Sequence, residues 1–436
     1  MTKISLATDT TSLLKTDMLP LARSGDPTPR RAYLSAIQNQ FKVFRPESFG
    51  AVADGTTDDT AALQAAVDAA SAAGGGVVRL TGNYAYGVGG SAWLGLYGPV
   101  KYGIYINHDN IFIKGPGKLT LATFPAVDPT TEMYTGVLFC RLGHLVAYPI
   151  LAGIWIENVG IEGITFDNTA LTYAQTSSLV GVSGGGPMGQ TAEILFSHAR
   201  NFYCRNNTII KGYGWGCIYT GMASSCGTIN NNTIYGVGCH GMWLDGLREA
   251  EVANNRIIGD YGYYVGAEWK LNHIGISVCA NTDNSTGSEF VHLHHNTVIN
   301  GESGLYFIGE NSIIDHNTIY NNNGRNGDVQ FLSNGALYTC YNTRIEDNTI
   351  WNESGVGGSA PGLYITGVTA TAQIQNKLIV RGNRININQA PDFKGHQVGI
   401  SLDEQVKNSF VVDNFIDGTS VTQGATCSGN TITPNY

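Results

Sequence analysis

Along residues 216–403 a short frame keeps returning, in which a small residue is followed by strictly alternating positions. It reads Gly216-Cys217-Ile218-Tyr219-Thr220, Gly241-Met242-Trp243-Leu244-Asp245, Gly275-Ile276-Ser277-Val278-Cys279 and Gly304-Leu305-Tyr306-Phe307-Ile308. It continues as Ala336-Leu337-Tyr338-Thr339-Cys340, Gly362-Leu363-Tyr364-Ile365-Thr366 and Gly399-Ile400-Ser401-Leu402-Asp403. Successive side chains of a strand leave opposite faces, so each frame predicts one short strand with its second and fourth residues inward. The third residues then form an outward column containing Trp243, Tyr306, Tyr338 and Tyr364, with Asp245 and Asp403 in the next.

A second pattern follows each frame: Asn207-Thr208-Ile209, Asn232-Thr233-Ile234, Asn255-Arg256-Ile257, Asn296-Thr297-Val298, Asn317-Thr318-Ile319, Asn348-Thr349-Ile350, Asn383-Arg384-Ile385, Asn414-Phe415-Ile416 and Asn430-Thr431-Ile432. Asn tolerates the left-handed backbone of a sharp turn, and stacked Asn side chains can hydrogen-bond along a ladder. A period of roughly 20–40 residues with variable insertions predicts a solenoid. Before residue 200 the rungs are less regular: Gly103–Ile106, Asn110–Ile113, Gly153–Ile156 and Gly163–Asn168, with an insertion over Thr169–Gln190.

Upstream, Thr57 or Asp58 is placed to accept the free N–H groups of a first helical turn, and Leu63, Ala66, Val67 and Ala70 follow at helical spacing. Gly74-Gly75-Gly76 predicts the stop before a strand at Val77–Leu80, so a narrow, Ala-rich helix would cap the open end of the stack. Residues 48–80, including Phe49-Gly50-Ala51-Val52-Ala53-Asp54-Gly55-Thr56-Thr57-Asp58-Asp59-Thr60, resemble the opening signature of the pectate-lyase-like superfamily of right-handed parallel β-helices. The resemblance implies an all-β, single-stranded right-handed parallel β-helix running to about residue 430 behind an N-terminal capping helix. It says little about reaction, because that superfamily includes lyases, hydrolases, epimerases and non-enzymatic adhesins. Thr16–Ile37 resembles adaptor segments of phage tail proteins, which points to the tailspike branch and implies a homotrimer. The expected organisation is an arm over 1–41 that attaches to a tail or baseplate protein, a capping helix and first rung over 42–80, and the β-helix over 81–436.

Composition fits a turn-rich β protein: 56 glycines and only 14% charged residues. A net charge of −9 argues against a nucleic-acid partner. No segment reaches the ~18 uninterrupted apolar residues of a membrane helix, and residues 1–30 lack a signal-peptide core, so the expected location is a virion tail assembled in a host cytoplasm. The eight cysteines show no paired metal spacing, and structural free thiols are expected. No cofactor and no resident metal are expected; the run Asn281-Thr282-Asp283-Asn284 misses the standard Ca²⁺ loop.

Aromatic rings stacked ~4.8 Å apart along a parallel sheet make a platform for sugar rings, so Trp243, Tyr306, Tyr338 and Tyr364 predict a bound polysaccharide. The insertions at 260–272, 321–333, 351–361 and 389–397 arrive just before a frame and are expected to rim this groove. Glycoside hydrolysis needs two carboxyl groups. Asp245 stands in the best-formed frame, Glu310 two rungs on at ~10 Å of rise, and Glu268 in the first rim insertion. A lyase would instead use a His or Tyr base and a cation beside a uronate, for which His240, His273, Lys270 and Tyr263 are candidates. The family signatures of mannuronan epimerases and polygalacturonases are absent: Tyr213–Ile218 lacks the acid and the His, and Cys239-His240-Gly241 is no Gly-His-Gly. The expectation is a tailspike-type depolymerase of bacterial surface polysaccharide, by hydrolysis, with a lyase or a non-enzymatic receptor-binding spike as alternatives.

Overall fold

Three short strands recur in each coil of the chain. His240–Asp245, Arg248–Ala253 and Arg256–Ile258 pair in parallel with Ile274–Cys279, Ser288–His294 and Thr297–Ile299 of the next coil. Repetition of this unit generates three parallel sheets around one apolar interior, and the coil is right-handed, the hand that twisted parallel strands favour. The computed structural model describes residues 18–21, 30–33, 42–93, 99–122, 133–141, 155–171, 192–213, 216–221, 224–236, 240–259, 274–279, 287–301, 303–320, 329–331, 340–352, 361–367, 375–387, 398–417 and 421–433. The first strand of each coil belongs to a twelve-stranded sheet, called the groove sheet below.

The interior is filled as the alternation predicts. Met242, Ile276 and Leu305 stack one above another, as do Leu363 and Ile400 beyond the coil of Val329, all five buried, opposite Ile257, Val298 and Ile385 from the Asn-x-Ile strands. This close approach explains the glycines that open the frames at Gly241, Gly275, Gly362 and Gly399. A Cβ at Gly275 would lie 2.2 Å from Val298 Cγ1, and one at Gly241 would lie 2.6 Å from Ile257 Cγ2.

One rung breaks this rule. Glu193 stands opposite Gly136, between the partners Thr135↔Ala192 and Val137↔Ile194, and its side chain is wholly buried. Its Oε1 accepts the Tyr213 N–H at 2.8 Å and the Asn168 amide at 3.0 Å. Burial pushes this carboxyl up to about 7.

The second motif forms a continuous buried ladder. Asn207 Nδ2 donates to Asn232 Oδ1 (3.0 Å), Asn232 to Asn255 (3.0 Å), Asn255 to Asn296 (2.9 Å) and Asn296 to Asn317 (3.0 Å). Asn317 donates to Asn348 (3.0 Å), Asn348 to Asn383 (3.0 Å) and Asn383 to Asn414 (2.9 Å). Each Asn also caps a backbone carbonyl, as Asn296 Nδ2 does for Val252 O at 2.8 Å.

The left-handed residue of the corner is not the ladder Asn but the one before it: Asn206, Asn231, Asn254, His295, His316, Asp347, Gly382 and Asp413 all have φ between 53° and 65°. The ladder position is selected by buried hydrogen bonding, and its predecessor by backbone conformation. Asn430 also departs from the expected pattern. Thr431–Ile432 pairs with Phe410 and Val411 rather than with the strand after Asn414, and Asn430 Oδ1 accepts the Ser409 N–H at 3.0 Å. Asn430 therefore occupies a different corner.

Two frames are displaced. Gly216 pairs with His240, not Gly241, so Ile218 and Thr220 align with the inward Met242 and Leu244, and Tyr219 aligns with Trp243. In the coil after Tyr306 the groove-sheet strand is Val329–Phe331, in register with Leu305–Phe307 and Leu363–Ile365, rather than the frame beginning at Ala336. Both stretches alternate, so alternation cannot choose between them. Residues 332–339, Tyr338 included, lie outside the described residues.

At the N-terminal end helix α1, Thr60–Ala72, buries Leu63, Ala66, Val67 and Ala70 against the same core as Val78, Ile104 and Ile111. Asp58 Oδ1 accepts the Thr60 N–H at 3.0 Å, while Asp59 ties down the preceding loop through Val52 N (2.7 Å) and Ala53 N (3.0 Å). Within residues 1–41, Met18–Leu21 and Arg30–Tyr33 pair antiparallel. Seven cysteines are free thiols, all but Cys226 buried; Cys239 lies outside the described residues.

Candidate functional site

The outward column of the groove sheet runs in strict register through Tyr105, Leu138, Leu195, Tyr219, Trp243, Ser277, Tyr306, Gln330, Tyr364 and Ser401. Its first four members are at most 5% exposed and form a second apolar cluster with Val100, Cys140 and Ala192. Trp243 packs on the edge of that cluster, and from there the column is half-buried at Trp243, Tyr306 and Tyr364. The three rings expected to carry sugar thus share one line, with Ser277 and Gln330 between them. Gln330 holds the register position expected for Tyr338. Tyr219 belongs to the column and was hidden by the one-residue slip; aligning the frames on their aromatic residues instead of their glycines would reveal it.

The next outward position carries Asp245 beside Cys279, which are register partners. Asp245 is 5% exposed. Burial, and then the Asp245 charge, hold the Cys279 thiol well above its usual range. At the other end of the Asp245 strand His240 is buried, its ring 4.5 Å from that of Trp243 in an edge-on arrangement. Four coils further, the Tyr364 hydroxyl donates to Asp403 Oδ2 at 2.5 Å. Burial and this carboxylate push the phenol up to about 12.

Glu310 does not stand where the frame spacing put it. The groove strand ends at Phe307, the chain turns at Ile308, and Glu310 opens the adjoining sheet opposite Glu289. Glu289 is in turn the partner of Arg248, so Glu310 and Asp245 leave the protein from different sheets and the pair read from the sequence is not brought onto one face. Burial, followed by the Glu289 charge, raises the Glu310 carboxyl. Glu268, His273, Lys270 and Tyr263 lie outside the described residues, as does the possible Ca²⁺ run at 281–284.

No family model matches the chain. Over 125 residues it is 34% identical to the mannuronan C5-epimerase AlgE3 of Azotobacter vinelandii, a match that covers 28% of this chain and 6% of that protein. Over 45 residues it is 60% identical to depolymerase 1, capsule KN3-specific, of Klebsiella phage KN3-1, covering 10% of this chain and 6% of that one. The chain therefore matches only a small part of the length of these relatives. Among solved structures, a tailspike protein of E. coli bacteriophage HK620 in complex with a pentasaccharide superposes with a TM-score of 0.52 at 16% identity, over 96% of this chain and 65% of that one. The likeness places the chain among right-handed parallel β-helices.

Proposed function

We propose that the chain is a polysaccharide depolymerase of the phage tailspike kind, which binds a bacterial surface glycan along the groove sheet and cleaves it beside Asp245. The observation that carries this reading is the column Trp243, Tyr306 and Tyr364, half-buried and in register on one outward face with Asp245 two residues beyond Trp243. Rings held at multiples of the ~4.8 Å strand spacing offer apolar faces at regular intervals, and a glycan lying along the helix axis presents sugar faces to them. Relatives and fold neighbours named as a capsule depolymerase and as a tailspike bound to a pentasaccharide support the same class of ligand.

Hydrolysis requires one carboxyl group to protonate the leaving glycosidic oxygen and a second to activate water or attack the sugar. Asp245 takes one role; Glu268 is the partner we propose, because Glu310 opens another sheet. The lyase alternative is favoured by one observation, the imidazole of His240 packed on Trp243 at the same groove edge. There a neutral His would accept a proton from a uronate, with Lys270, His273 and Tyr263 as further candidates. The tailspike reading carries with it a homotrimer, an arm over 1–41 that joins a tail protein, and residence on the virion.

The test is incubation of the purified protein with capsular, exo- and O-antigen polysaccharides, following chain length, reducing ends and the ultraviolet absorbance of an unsaturated uronate together. Reducing ends without that absorbance, lost by a factor of ~10² or more in Asp245→Asn and Glu268→Gln, support hydrolysis. Reducing ends with it move the chemistry to His240. A glycan that binds and is never shortened overturns the enzyme reading and leaves a receptor-binding spike.

A further inference from the structure

Around the corner from the groove, on the outer face of the second sheet, four of the ten histidines meet two carboxylates. His292 and His294 are alternate residues of the strand Ser288–His294, so both imidazoles leave the same face, and their ring centroids are 4.0 Å apart. Glu251 is the register partner of His292 in the preceding coil, and Asp315 is the partner of His294 in the following one. His292 Nε2 lies 3.0 Å from Asp315 Oδ1, and His294 Nε2 lies 3.1 Å from Glu251 Oε1.

One donor atom from each of His292, His294 and Asp315 falls within 4.8 Å of the others. A tetrahedral ion with bonds of ~2.0–2.1 Å separates its ligand atoms by ~3.3–3.4 Å, so rotation of side chains by about 1 Å brings the three into a ligand shell. His294 and Asp315 are mostly buried, which limits the freedom lost on closing, and His292 faces solvent. The surroundings hold the ligands in place. Asp315 Oδ2 is 3.3 Å from His316 Nδ1, and His294 Nδ1 is 2.9 Å from His295 Nδ1, a contact that needs a lone pair on one of the two rings. His295 and His316 stack 5.0 Å apart with an interplanar angle of 2°.

We propose that His292, His294 and Asp315, backed by Glu251, bind a divalent transition cation of the Zn²⁺ class, which clamps two successive coils of the β-helix. His292, His294 and Asp315 are the direct ligands. Glu251 either completes the shell or orients His294, and His316 orients Asp315, the outer partners that metal-bound His and carboxylate groups normally require. Two imidazole nitrogens select Zn²⁺, Ni²⁺ or Cu²⁺ over Ca²⁺ and Mg²⁺, which take oxygen ligands. The two carboxylates balance the charge of the ion. The pattern is also visible along the chain, since His294-His295 and Asp315-His316 stand at the same two places before the ladder residues Asn296 and Asn317.

The test is calorimetric titration of the chelator-treated full-length chain with Zn²⁺ and Ni²⁺, with Ca²⁺ and Mg²⁺ as comparison, and thermal unfolding with and without Zn²⁺. One saturable Zn²⁺ site per chain and a raised melting temperature are expected, with no saturation by Ca²⁺ or Mg²⁺. His292→Ala and Asp315→Asn should each weaken Zn²⁺ binding at least ~10-fold and abolish the thermal shift, whereas the distant His108→Ala leaves both unchanged. The His292 and His108 side chains face solvent and Asp315→Asn keeps the shape of the one it replaces, and far-ultraviolet circular dichroism verifies the fold of each variant. Absence of a saturable site, or equal Zn²⁺ affinity in His292→Ala and the parent, overturns the proposal and assigns any binding to scattered surface donors.

Discussion

Tyr364 and Asp403, one coil apart on the outer face, are joined by a 2.5 Å hydrogen bond from the phenol to the carboxylate. The bond holds the ring at a fixed attitude in the column below Tyr306 and Gln330. Its ring and its hydroxyl are therefore separable. Tyr364→Phe keeps the apolar face and should weaken glycan binding only a few-fold, while Tyr364→Ala removes the platform and should cost ~1–2 kcal/mol of affinity. Equilibrium binding of one cleavage-resistant glycan to both variants decides the matter; equal losses would mean that the hydroxyl, not the ring, meets the sugar.

Asn296 sits in the middle of the buried ladder, accepting from Asn255 and donating to Asn317 and to the Val252 carbonyl. Asn296→Ala strands polar groups on three neighbouring segments, and the expected loss is ~2–4 kcal/mol in urea unfolding. Asn207, at the start of the ladder, has a ladder Asn on only one side. Its alanine variant should cost less.

Gly275→Ala should be destabilising by ~1–3 kcal/mol because the added methyl overlaps Val298 Cγ1. Val298→Ala alone leaves a void. Combined, the two changes should cost less than their sum, and chemical denaturation of the four-member cycle measures the difference.

Glu193 predicts a pH dependence of stability. Its folded carboxyl, up to about 7, lies above the ordinary carboxylate value, so the native state holds its proton more tightly than the unfolded chain. Stability from this group is then complete below the unfolded value, near pH 4, and falls as pH rises through 7, by ~3 kcal/mol in all. Glu193→Gln should abolish this slope and raise the melting temperature at pH 8 relative to the parent; an unchanged slope would assign the dependence to another group.

The fold was legible because its two repeats obey different constraints that both reach the sequence: a glycine where a Cβ has no room, and an Asn where a buried amide must bond on both sides. Register was less legible. Alternation has period two and fits Val329–Phe331 as well as Leu337–Thr339, and only the pairing with Leu305 and Leu363 chooses between them. The position of Glu310 was misread for a related reason, since the corner after Phe307 carries no sequence mark and one residue, Ile308, suffices to pass from one sheet to the next. The histidine cluster was overlooked because its members lie on three coils, and only stacking brings Glu251 and Asp315 to the imidazoles between them.

From Asn207 to Asn383 every Asn-to-Asn bond of the ladder runs from Nδ2 to the Oδ1 of the following coil, while the same Nδ2 also reaches back to a backbone carbonyl of the preceding one. The ladder is thus a row of aligned dipoles with a direction, in which each bond polarises the next. A finished coil shows its successor a buried donor that only a carbonyl oxygen at that corner can meet, so a duplicated coil fits anywhere in the series in its original orientation, and a reversed one fits nowhere.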